Sequence, residues 1–247
     1  MPDTAVGEKA SPFRSLRSWN MRVYLGGLLL SNIGTWLQFT ATSLLIYRIH
    51  NRATDAGLNA MFQFLPMLML GAWAGGLADR FDRRKVTICT QTALGLQALL
   101  LAGVDAAGHA TLPVVYALSA VLGVANAIDN PARRGLVTEL VSPDEISNAM
   151  SLNTTVMTGS RIVGPALAAA LINPLGTSWL FFINAVSYLA VLVSLFTLRK
   201  DEMLPQVTAP RSGKPVREGL AFVWHDKYMR NVFIVFTVAS TFAFNYS

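Results

Sequence analysis

An all-α integral membrane fold is predicted by two features of this sequence. Five stretches, residues 23–47, 57–78, 86–104, 110–128 and 162–198, contain no Asp, Glu, Lys or Arg. An uncharged run of about 18 residues or more can cross a hydrocarbon core of roughly 30 Å as a helix. Charge is also scarce and clustered: 14% of the residues are charged and 53% hydrophobic, whereas about a quarter are charged in soluble domains.

The elements follow in order from the breakers between these runs. "RIHNRATDAG" (48–57) separates the first span from the second, and "GGLADRFDRRKV" (75–86) the second from the third. "DAAGHATLP" (105–113) divides spans three and four, "DNPARRGLVTELVSPDE" (129–145) spans four and five, and "NPLGTS" (173–178) spans five and six. Within "SPDE", Ser142 and Glu145 have the spacing of a capping box for span five, with Pro143 at the first helical position. The organisation is a segment 1–22, a six-span bundle 23–198, a polar linker 199–230 and the start of a seventh span, 231–247.

Basic residues orient the spans, because Lys and Arg in short loops stay on the cytoplasmic side. With the N-terminus inside, the inner side collects Lys9, Arg14, Arg17, Arg22, Arg80, Arg83, Arg84, Lys85, Arg133 and Arg134. The linker adds Arg199, Lys200, Arg211, Lys214, Arg217, Lys227 and Arg230, while the outer side holds only Arg48 and Arg52. This asymmetry accounts for the net charge of +6 without a nucleic-acid partner. With Cys89 replaced, single cysteines at positions 8 and 214 are expected to resist an impermeant thiol reagent in intact cells. Labelling of either from outside contradicts the orientation.

Several function classes leave no trace. His50, His109 and His225 are scattered without metal-ligand spacing, and no phosphate-cradling G-x-x-x-x-G-K, HExxH or GxSxG occurs. Neither a metal nor a cofactor is expected. The single Cys89 cannot form an intramolecular disulfide. The first apolar run reads as a span, since a signal-peptide core has only about 7–15 residues.

The second breaker carries six charges in seven residues, Asp79 to Lys85. Its twin glycines, Gly75 and Gly76, are expected to admit a neighbouring helix closely, as small residues do in membranes. In residue order it resembles the loop 2–3 signature of the major facilitator superfamily, G-x-L-A-D-R-x-G-R-R/K. Gly75, Leu77, Ala78, Asp79, Arg80, Arg83 and Arg84 match, and Asp82 stands where the superfamily has glycine. An Asp there can still tolerate a left-handed turn. "SRIVGPALAAAL" (160–171) is similar to the Gly-Pro signature of the superfamily's exporters, with Gly159, Gly164 and Pro165 in register and Ala168-Ala169 in place of a trailing Gly-Gly. "QFLPMLMLGAWAGGLADRFDRR" and "AIDNPARRGLVTELV" resemble the branch containing macrolide-efflux and enterobactin-type siderophore exporters.

The resemblance implies a six-helix N-terminal bundle of a twelve-helix fold, each half built of two inverted three-helix repeats. It implies that Asp79 is the acid that holds the inner side shut, with Arg83 as its cytoplasmic partner and further contacts to a helix eleven. It also implies a bacterial cytoplasmic membrane location, a small-molecule substrate, protons, and a C-terminal six-helix half as partners. The seventh run stops at Ser247 without a flanking anchor, so the chain reads as the first half of a longer protein or as a half-transporter that dimerises.

One charge lies deep within a span. Arg161 follows fifteen uncharged residues from Ile146, and an Arg near a bilayer centre costs about 2.5–3.5 kcal/mol on insertion scales. It is expected to face the bundle interior or a water-filled cavity, either bracing helices or serving the cavity and coupling. Asn32 and Gln38 in span one are polar candidates for the same cavity, and Asp129, read as one turn from the inner end of span four, is a candidate ion partner for Arg161. The function this implies is proton-driven export, by antiport, of a small amphipathic compound such as a drug or siderophore. A truncated non-transporting fragment or scaffold is the alternative. An intramembrane enzyme would need a nucleophile and base or a metal site at depth, where only Arg161 and Asp129 stand.

Overall fold

The computed structural model describes residues 11–205 and 224–243. The chain divides into two units, Met1–Val207 and Thr208–Ser247. The described residues contain helices and no strand. Parts of the expected N-terminal segment (1–10), linker (206–223) and seventh span (244–247) lie outside them.

Among its described residues the first unit contains six long helices: α1 (Trp19–His50), α2 (Ala53–Arg80), α3 (Arg83–Ala106), α4 (Leu112–Glu139), α5 (Ile146–Leu175) and α6 (Thr177–Thr197). Short 3-10 turns precede α1 (Arg14–Arg17) and α5 (Pro143–Glu145) and follow α6 (Lys200–Glu202). In the second unit α7 (Lys227–Ala243) starts where Asp226 accepts from the N–H groups of Tyr228 and Met229, at 2.8 and 3.1 Å. It begins a turn earlier than the apolar run suggests, because that cap lies in the polar flank.

Connections are short. The α1 C-terminus closes on Asn51, in the left-handed region at φ 50°, whose N–H donates to Tyr47 O at 2.8 Å. A single residue, Gly176 at φ 79°, joins α5 to α6, a backbone setting that glycine adopts without strain. Such turns make successive helices antiparallel. α1 packs against α6 and α5, α4 against α3 and α2, and α3 against α6. This pairing maps onto itself when α1, α2 and α3 are exchanged with α4, α5 and α6.

Two apolar clusters hold the ends of the bundle. Tyr24, Leu28, Leu136, Leu140 and Leu195 join α1, α4 and α6 at one end. Leu37, Leu45, Leu101, Leu180 and Phe181 join α1, α3 and α6 at the other. In a bilayer such contacts work by close packing more than by leaving water. A Cβ added at Gly34 would strike Asn184 and Ser187 of α6, and one at Gly164 would strike Trp36 of α1. Gly123 lies against the Gln63 carbonyl of α2 in the same way.

The expected glycine contacts are only partly there. A Cβ at Gly75, Gly76 or Gly159 meets no atom within 4 Å, so none of these three is a close-packing site within this unit. The α2 face is instead carried by buried Ala74 and Ala78, and that of α5 by Ser160, Gly164 and Ala168. Pro165 sits inside a continuous α5.

Among the described residues four helices, α3, α4, α5 with its lead-in turn, and α6, are long and apolar enough to cross a membrane. Counting Ala53–Gly71 and Trp73–Arg80, which meet at 61°, as one bent span makes five. α1 falls outside that set because polar residues crowd it. Ser31, Asn32, Gln38 and Thr42 are all buried against neighbouring helices rather than turned to lipid.

The segment 129–145 corrects the sequence reading. Only its last part, 140–145, breaks the helices: α4 runs unbroken through Pro131 to Glu139, and α5 starts at Ile146. Membrane helices tolerate an internal proline where neighbours satisfy the freed backbone, and Leu136 and Val137 keep the buried face going. The capping box is also absent, since Ser142 makes no side-chain cap bond and Glu145 sits in the 3-10 turn. The Ser142 hydroxyl acts on exposed Asp144 instead and holds that carboxyl below its ordinary range, helped by the backbone and Arg14.

Candidate functional site

Two polar clusters of the six-helix unit contain Asp79 and Asp129. The first lies at the turn between α2 and α3. Asp82 caps α3, accepting from the Lys85 N–H at 3.0 Å with φ −55°. This explains why Asp serves where glycine is usual: the position is a helix N-cap, not a left-handed turn. With the cap in place, Arg83 points back over the helix ends. Its Nη2 lies 3.0 Å from Asp79 Oδ1, and its Nη1 lies 3.1 Å from Glu139 Oε1 of α4. One guanidinium thus ties the end of α2 to the end of α4. Half of the Asp79 side chain is exposed, at 50%, while that of Glu139 is 10% exposed, so one partner is wet and the other nearly dry. Arg84 donates to the Leu195 and Phe196 carbonyls at the end of α6, at 2.7 and 3.4 Å, where a cation suits the helix dipole. Arg80 is exposed.

Glu139 and Gly135 were not anticipated. Gly135 leaves the space that the Arg83 guanidinium occupies, and a Cβ there would collide with it. Their spacing of four residues in "GLVTE" is the signal that could have found them, once that stretch is read as helix. Gly135→Ala should cost little stability, since alanine favours a helix by about 0.5–1 kcal/mol over glycine. It should push Arg83 off Glu139, and the check is a double-mutant cycle of unfolding midpoints with Arg83→Gln and Glu139→Gln, whose coupling should vanish once Gly135 is alanine. Undiminished coupling would show that Arg83 does not need this seat.

The second cluster lies inside the bundle. Asp129 is fully buried and accepts from Thr90 Oγ1 at 2.6 Å and Gln91 Nε2 at 2.9 Å. Arg133 Nε stands 2.6 Å from Asp129 Oδ2, an ion pair by distance without a well-aligned hydrogen bond. The pair exists because α4 continues past Pro131 and brings residue i+4 over residue i. Asp129 is therefore ten residues inside the end of α4. Its ion partner is Arg133, not Arg161 as the sequence suggested. In the sequence Thr90 and Gln91 are just two polar residues of an uncharged run.

Gln38 does not face an open cavity. It is 4% exposed and holds a seam, donating to Gln97 of α3 at 3.1 Å and accepting from Asn184 of α6 at 2.7 Å. Asn32 is buried too, and its Nδ2 has no hydrogen-bond partner. Arg161, midway along α5, is exposed on the outer face of the unit, with its guanidinium 5.1 Å from the Trp36 ring of α1. Asn32 lies one turn before Trp36.

Comparison with known proteins places these residues in context. A family described as transmembrane secretion effector matches residues 10–245. An uncharacterized major-facilitator-type transporter, YfiS of Bacillus subtilis, is 30% identical over 199 residues, covering 78% of this chain and 46% of the relative. The staphyloferrin A transporter of Staphylococcus aureus is 22% identical over 70% of this chain and 44% of its own length. A multidrug efflux pump, Tap, of Mycolicibacterium fortuitum is 27% identical over 86% of this chain and 54% of its own. The chain spans about half the length of the curated relatives it matches.

Proposed function

Since the chain belongs to the transmembrane secretion effector family of the major facilitator superfamily, whose members are transporters and not enzymes, we propose that it supplies one six-helix half of a secondary exporter. Six helices, α1 to α6, cross a bacterial cytoplasmic membrane with the N-terminus inside, and a second half completes the path. The exported compound is small and amphipathic, as relatives named for staphyloferrin A transport and for macrolide and multidrug efflux suggest. Protons drive it in antiport as the halves rock between inward-open and outward-open states.

The observation that carries this reading is Arg161. It stands roughly 22 Å from either end of α5 at 1.5 Å per residue, on the outside of the unit. Facing lipid there would cost about 2.5–3.5 kcal/mol. A protein-lined, water-filled cavity against a second half removes that cost. The self-mapping helix pairing supports two inverted repeats, α1–α3 and α4–α6, within this half. The Asp79–Arg83–Glu139 cluster closes the inner side, and buried Asp129 is the candidate for proton coupling.

Efflux of a lipophilic dye from cells expressing the complete gene product tests this. The expected result is energy-dependent efflux that a protonophore abolishes and that Arg161→Ala reduces per inserted molecule. Dye retention equal to that of empty cells, across a panel of amphipathic compounds, would contradict it.

A further inference from the structure

Tyr24, Asn130, Arg133, Arg134, Asn153 and Met157 line a pocket of about 10 Å³ between α1, α4 and α5. That is room for one oxygen-sized group, about the space a single water needs. The walls are polar and unsatisfied. Tyr24 is fully buried and Asn153 is 6% exposed, yet Tyr24 Oη and Asn153 Oδ1 have no hydrogen-bond partner. Arg133, whose side chain is 12% exposed, sets its Nε 2.6 Å from Asp129 Oδ2 without an aligned hydrogen bond. Arg134 is exposed and makes no ion pair among the described residues. The Asn153 amide can be turned, because its Nδ2 holds only a 3.7 Å contact to Met157 Sδ. It then presents a third kind of donor.

Two guanidinium groups and one carboxylate leave the site with a net positive charge. The carboxylate, Asp129, is already taken by Thr90, Gln91 and Arg133. A buried hydroxyl without a partner, such as that of Tyr24, is costly, and a guanidinium pairs best with an anionic oxygen. Depth fits as well. Arg133 is six residues from the end of α4, Asn153 seven from the start of α5 and Tyr24 five from the start of α1. All three lie about 8–10 Å from the same end of the bundle at 1.5 Å per residue.

We infer that this pocket binds an oxyanion, seating a carboxylate or phosphate oxygen among the Tyr24 hydroxyl, Arg133 and Arg134. The oxygen can come from an exported solute, a source that rests on the export reading, or from an anionic lipid headgroup, which does not. The full chain in phosphatidylcholine nanodiscs is titrated with citrate, with chloride at matched ionic strength as control. A second set of nanodiscs carries phosphatidylglycerol. A ligand that binds only the folded state raises the unfolding midpoint saturably. The rise is expected with citrate, with phosphatidylglycerol or with both. Citrate alone identifies a solute carboxylate, and phosphatidylglycerol alone identifies a lipid phosphate. Arg134→Gln and Tyr24→Phe should each raise the half-saturating concentration by about tenfold, the loss of one charge-assisted hydrogen bond. Because Arg134 is exposed, its variant should keep the unliganded midpoint. No rise beyond chloride with either anion overturns the assignment, as does a rise that both variants retain in full. A chain that shifts its midpoint while the complete gene product fails to export leaves the pocket standing and removes the export reading.

Discussion

Arg133→Leu is expected to destabilise the six-helix unit by about 3–5 kcal/mol, the cost of leaving a buried charge without its partner. Asp129 is 0% exposed, and after the substitution only Thr90 and Gln91 would face its carboxylate. Two hydrogen bonds do not neutralise a charge at that depth. The damage should therefore appear as a lower unfolding midpoint and less monodisperse protein in detergent. The double variant Asp129→Asn, Arg133→Leu is the control. An asparagine still offers an oxygen to Thr90 and Gln91 but carries no charge, so most of the lost stability should return. If the double variant is as unstable as the single one, the pair is not what makes Arg133 matter. If Arg133→Leu is as stable as wild type, Asp129 is not held as a buried anion.

Gly34→Leu should be nearly as damaging, at about 2–4 kcal/mol, by overpacking plus a lost hydrogen bond. A Cβ at Gly34 already lies 2.9 Å from Ser187 Cβ, besides striking Asn184 and Ser187 polar atoms. A longer side chain must part α1 from α6 and pull Asn184 from Gln38, which it now meets at 2.7 Å. Gly26→Leu is the matched control, since a Cβ there meets nothing within 4 Å. Thermal unfolding should separate the two. Equal midpoints would mean that the close α1–α6 contact is not needed.

The sequence made the helical membrane architecture and the charged turn legible, because both are local. An uncharged run identifies a span from its own residues, and "GGLADRFDRRKV" shows its charge density without reference to any other segment. What it hid was long-range or depended on where a helix stops. In sequence, Pro131 and the charges beside it read as a break, which puts Asp129 near a helix end and within reach of Arg161. Once α4 is seen to continue, Arg133 is the partner by helical spacing, and Glu139 comes to face Arg83. The glycines mislead for a related reason. Gly75 and Gly34 look alike in sequence, but only packing against another helix decides which one is needed for close approach.

In the proposed exporter, the Asp79–Arg83–Glu139 cluster is what closes the inner side. Efflux per inserted molecule by Asp79→Asn in the complete gene product tests it most directly. Asp79 is half exposed, so the protein should insert at normal levels. With the charge gone, Arg83 loses one charge-assisted hydrogen bond, and efflux per molecule is predicted to fall by about tenfold or more. Efflux at the wild-type rate by normally inserted Asp79→Asn would contradict the claim.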